Sequence, residues 1–151
     1  MSDRAAILWP MCALAGLVAV VWLRLYAVRL TEIRTRRIDP QRLARADEAV
    51  RLLENNSAAD NLRNLFEIPV LFFAVCLALY VTGFVTEMQV SLAWGFVMLR
   101  AVHSFIHTTY NRVMHRFLAY AVSTIFVFAM WVLFAVSLVQ ADAREAALYP
   151  P

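Results

Sequence analysis

Hydrophobic residues in this chain run in long blocks, not in the short alternations of a soluble domain. Four blocks stand out, at residues 7–23, 65–84, 90–106 and 117–139. Each approaches the roughly 20 residues that a helix needs to cross about 30 Å of hydrocarbon. The pattern predicts four transmembrane helices over about 5–29, 61–84, 89–110 and 114–140. Residues 1–151 then form a single integral membrane domain, with a cytoplasmic segment at 30–60. The fold class expected is an all-α membrane protein, a four-transmembrane-helix bundle.

Polar residues punctuate the blocks. Asp39-Pro40 has the form of a helix N-cap followed by proline at the first helical position. Beyond it Leu43, Ala46, Val50 and Leu53 recur at helical spacing against Arg42, Arg45, Glu48 and Arg51, which predicts a short amphipathic cytoplasmic helix. Asn55-Asn56-Ser57 breaks it, and Ser57 with Asp60 has the form of a capping box opening the second span. Pro69 removes a backbone donor and frees the carbonyl of Leu65, so a bend is expected beside Glu67.

Composition sharpens the class. The chain is 62% hydrophobic, and its 14 basic side chains are all Arg. Arg without Lys suggests a GC-rich bacterial genome and hence the inner membrane. Six of the Arg residues (34, 36, 37, 42, 45 and 51) fall between the first and second spans, and Arg112 falls between the third and fourth. The positive-inside rule then places these loops in the cytoplasm and both termini outside. No basic patch with interleaved aromatics exists, which gives no support to nucleic-acid binding. Cys12 and Cys76 fall inside spans and predict no disulfide framework. Residues 141–151 read as a short outer tail.

Charged residues inside the spans point to chemistry. An Arg near the membrane midplane costs about 2.5–3.5 kcal/mol on insertion scales. Arg100 therefore needs a partner, and Glu67, the carboxylate within the predicted spans, is expected to pair with it in the same subunit or the next. His103 and His107 share its helical stripe, and Asn64 shares a face with Glu67. The same residues also suit a purely structural role, as an ion pair and hydrogen-bond glue between helices. The two histidines lack an acidic or Cys partner at metal-ligand spacing, so no metal is expected. Arg112, Arg116 and Tyr120 follow at intervals of four, with Arg116 in the first turn of the fourth span, where an adjacent anion would offset its clash with the helix dipole. Together these residues describe a site for a small, flexible, anionic molecule reached from the cytoplasm, with lipid supplying an apolar co-substrate.

At Asn64-Leu-Phe-Glu67-Ile-Pro69, Arg100-Ala-Val-His103 and Arg116-Phe-Leu-Ala-Tyr120 the chain resembles the MAPEG family, membrane-associated proteins in eicosanoid and glutathione metabolism, in a bacterial branch. The resemblance implies a homotrimer of four-helix subunits that binds glutathione between neighbours near the cytoplasmic side. It implies that Asn64, Glu67, Arg100 and His103 hold glutathione, joined by His107, Arg112 and Tyr120, and that Arg116 stabilises the thiolate. Family enzymes place an Arg where this chain has Asp60, and often a Tyr where it has His107. The activity implied is a glutathione-dependent transferase or peroxidase acting on lipophilic electrophiles. The alternatives are a non-catalytic lipid- or glutathione-binding membrane protein and a structural inner-membrane subunit.

Overall fold

A computed structural model describes residues 4–53 and 57–148, apart from the side chains of Ala46 and Val50; Asn55 and Asn56 of the expected break lie outside the described residues. The chain is 88% helical, with no strand among the described residues. A 3-10 turn at Arg4–Ile7 leads into α1 (Leu8–Arg36); α2 is Ala46–Leu52, α3 Ser57–Asn64, α4 Ile68–Thr82, α5 Glu87–Thr108 and α6 Val113–Leu148. Four helical stretches are long and apolar enough to cross a membrane: Arg4–Arg36, Ser57–Thr82, Glu87–Thr108 and Val113–Leu148. The chain is a multi-pass membrane protein with a four-helix bundle architecture.

Two helices outrun their hydrophobic blocks. Charge ends a membrane span but not a helix, so α1 continues through Arg29 and Arg34 until Arg37 adopts a left-handed φ of 50° just ahead of Asp39-Pro40. At the far end, residues 141–148 are half Ala, the best helix former, and they extend α6 where a tail was expected. The single amphipathic helix expected after Asp39 is two pieces. Asp39 does accept the Gln41 N–H at 3.0 Å, but it caps only a 3-10 turn, Pro40–Leu43; Arg45 is extended, and α2 starts afresh behind it.

The second span is also divided. Between α3 and α4, Glu67 has φ −94° and ψ −98°, outside the helical region, and Pro69 sits in the first turn of α4. Pro69 has no N–H for the Leu65 carbonyl, so the α-helical ladder stops there and restarts. The bend expected from Pro69 is therefore a full interruption. Beside it lies an apolar cavity of about 310 Å³, lined by Ala15 and Val18 of α1 and by Leu65, Phe66, Val70 and Phe73.

The packed interior contains Ile7, Leu14 and Val21 with Phe72, Val75, Cys76 and Leu79 and, from the other two spans, Ala93, Phe96, Val127 and Met130. Phe72 and Phe96 stack at 4.6 Å between ring centres. In lipid the association of helices rests on close packing and interhelical hydrogen bonds, not on expelling water. The α5–α6 pair is the most extensive contact, and Gly95 makes it possible: a Cβ there would overlap the Phe126 ring. Buried Gln89 donates to the Met130 carbonyl at 3.2 Å and Trp131 Nε1 to the Leu71 carbonyl at 3.2 Å. Arg24 donates to the Thr108 carbonyl at 2.7 Å, which ties α1 to the last turn of α5.

Candidate functional site

The α5–α6 hairpin builds the polar site. Its turn closes because Asn111 takes a left-handed φ of 46° and donates its N–H to the Ile106 carbonyl at 2.9 Å. Asn tolerates that conformation better than most residues. Reversing the chain in so few residues brings the first turns of α6 against the last turns of α5. Arg100, His103 and His107, three and four residues apart, all face inward and are at most 2% exposed.

The bond pattern assigns the protons. Arg116 Nη1 donates to His107 Nε2 at 3.1 Å and to Asn111 Oδ1 at 2.9 Å. A guanidinium only donates, so His107 Nε2 carries the lone pair and its Nδ1 carries the hydrogen. His103 Nδ1 lies 3.0 Å from the Arg116 carbonyl oxygen, which can only accept, so Nδ1 is protonated and Nε2 is the acceptor. His103 and Tyr120 have ring centres 5.8 Å apart. The two histidines thus grip Arg116 by its side chain and its backbone, and they hold the guanidinium at the opening of α6.

Arg100 is the exception to this tidy pairing. It is fully buried, yet its Nε, Nη1 and Nη2 have no hydrogen-bond partner among the described residues. Its guanidinium carbon lies 4.6 Å from the centre of the Tyr120 ring and 5.3 Å from that of Phe96. Cation–π contact of this kind, worth about 2 kcal/mol or more when desolvated, replaces part of the lost hydration but satisfies no N–H. The expected ion pair with Glu67 does not form within the subunit. Glu67 is exposed and makes no ion pair or hydrogen bond among the described residues; the backbone leaves the helical region there, which breaks the register that would place it on the face of Asn64.

The structure therefore brings together five of the expected residues, Arg100, His103, His107, Arg116 and Tyr120. Asn64 is half-buried, and Arg112 is exposed with no side-chain bond among the described residues; neither joins the cluster. Three residues enter it unexpectedly. Asn111 braces Arg116, and fully buried Asn61 accepts a hydrogen bond from Ser104 at 3.2 Å, joining α3 to α5 beside His103. Asn61 did carry a signal, since it stands one turn before Asn64, and Ser104 stands one turn after Arg100.

None of the curated proteins and none of the solved structures compared with the chain matches it. The family model described as "MAPEG family" does, over residues 7–136, a stretch that covers the second and third spans, most of the first and fourth, and every residue of the cluster. On that match the chain belongs to the MAPEG family.

Proposed function

We propose that this protein is a glutathione-dependent transferase or peroxidase acting on lipophilic electrophiles. MAPEG members include enzymes of both kinds. The observation that carries the reading is Arg100, a guanidinium at 0% exposure with three unpartnered nitrogens. A buried cation in that condition calls for an anion of matching geometry, and a carboxylate accepts from an Arg fork through two oxygens. Glutathione brings two carboxylates and a thiol.

Arg116 suits the thiol. Its bonds to His107 and Asn111 use Nη1 alone, which leaves Nε and Nη2 for an incoming sulfur. A thiol pKa near 8.5 falls beside a cation at a helix N-terminus, and the thiolate is the nucleophile. Arg116 keeps its own proton at neutral pH, so it stabilises charge and leaves the thiol proton to water. His107 stands where family enzymes often have Tyr, and here its role is to orient Arg116. The site would complete itself in a homotrimer, where Asn64, Glu67 and Arg112 line a neighbour's cleft on the cytoplasmic side of a bacterial inner membrane, with both termini outside. The apolar cavity beside the helix interruption fits the other reactant, a lipid-borne electrophile.

That same cavity supports a second reading, a lipid- or glutathione-binding protein without catalysis. Titrating reduced glutathione into the detergent-purified protein and following thiolate absorbance separates the two. The proposal expects saturable thiolate formation that Arg116→Ala abolishes. Binding with no thiolate signal would favour the second reading, and absence of binding would refute both glutathione readings and leave a lipid-binding protein or a structural membrane subunit.

A further inference from the structure

Asn61 is the polar side chain that α3 buries completely. Its Oδ1 accepts from Ser104 Oγ at 3.2 Å, and this bond fixes the plane of the amide and the direction of its other end. At that other end Nδ2, with two N–H groups, has no partner among the described residues. A buried amide donor left in that state is costly, and an apolar residue of similar shape would avoid the cost.

Ser104 follows Arg100 by four residues, so the two are neighbours on one face of α5, about one helical turn apart. Along that face the unpartnered Asn61 amide meets α5 at Ser104, and the Arg100 side chain, with its three unpartnered nitrogens, leaves the helix one turn earlier, with His103 between them in sequence. His103 Nε2 is the acceptor left over there, against several donors. A neutral hydroxyl or amide would bring one oxygen to this set. A carboxylate brings two, with about four lone-pair sites and the charge that Arg100 calls for.

We propose that Asn61, oriented by Ser104, is a carboxylate-binding residue that shares one carboxylate of the guest with Arg100. This rests on the glutathione reading above and deepens it, since it makes α3 and not only the α5–α6 hairpin a reader of the guest's charge. The Ser104 hydroxyl acts as a positioning group for the amide.

Calorimetric titration of the detergent-purified full chain tests this with three ligands: glutathione, glutathione esterified at the glycyl carboxylate, and glutathione amidated at the γ-glutamyl α-carboxylate. Asn61→Leu is expected to weaken glutathione about tenfold, as for a hydrogen bond to a charged group. It should change the affinity of one of the two masked ligands less than about twofold, because that ligand no longer presents the charge Asn61 reads. Asn61→Asp keeps an acceptor for Ser104 but replaces the donor with a negative charge, so it should weaken glutathione further still. Ser104→Ala should produce a smaller loss that also vanishes with the same masked ligand, and it serves if the Asn61 variants do not fold. Equal weakening of all three ligands would assign Asn61 to packing and overturn the proposal, as would unchanged affinity. Failure of the unaltered protein to bind glutathione would remove the functional reading and this inference together; binding that ignores Asn61 would remove this inference alone.

Discussion

Replacing Arg100 by Met removes a buried charge and keeps most of the side-chain volume, and the sign of the resulting stability change reports what surrounds the guanidinium. Within the subunit its nitrogens have no hydrogen-bond partner among the described residues, and its contacts are the faces of Tyr120 at 4.6 Å and Phe96 at 5.3 Å. Placing an Arg at such depth costs about 2.5–3.5 kcal/mol. Cation–π contact returns about 2 kcal/mol. The balance is a net cost of about 1 kcal/mol, so Arg100→Met should stabilise the ligand-free protein by roughly that amount. Unfolding in detergent, followed through the fluorescence of the four Trp residues, measures it. Glutathione at a hundred times its dissociation constant should add about 2.7 kcal/mol to the unaltered protein and nothing to the variant. If the guanidinium is already matched by a carboxylate of a neighbouring subunit, breaking the pair should instead cost about 3–5 kcal/mol. A destabilisation of that size without ligand would refute the idea of a cation held ready for a guest.

Asn111 has two separable roles, and two substitutions divide them. Asn111→Gly keeps the left-handed turn but releases Arg116 Nη1, so stability should stay within about 0.5 kcal/mol while thiolate formation falls severalfold; an unchanged thiolate titration would show that the brace is idle. Asn111→Ala should cause the same functional loss and add about 1 kcal/mol of destabilisation from the unfavourable φ, read from the same unfolding curves. Gly95→Ala should destabilise by about 1–3 kcal/mol through overlap with Phe126, and Phe126→Leu should restore most of it; no effect in Gly95→Ala would mean that α5 and α6 pack less closely than described.

The four spans were legible because hydrocarbon thickness writes itself directly into the length of apolar blocks. Their ends were less so, since α1 and α6 leave lipid without ceasing to be helical, and only Arg37 with Asp39-Pro40 marks one of those ends. Within α5 the stripe of Arg100, His103 and His107 followed from helical arithmetic and holds in the structure. Across the second span the same arithmetic failed. It assumes an unbroken helix from Asn64 to Glu67, whereas the backbone leaves the helical region at Glu67 and the phase is lost. Contacts between helices were not legible at all: that Tyr120 and not Glu67 meets Arg100, or that Ser104 meets Asn61, depends on how helices rotate against each other.

The bond from Arg24 to the Thr108 carbonyl makes the first span part of the site's mechanics. With 29 residues, α1 is about 44 Å long against a hydrocarbon layer of about 30 Å, so it must lean or protrude, and by how much depends on the surrounding lipid. Its guanidinium tether lies one residue beyond His107, the imidazole that steadies Arg116. Lean and the geometry of the polar cluster are therefore linked through this bond, and bilayer thickness becomes one of the quantities to which the cluster is mechanically connected.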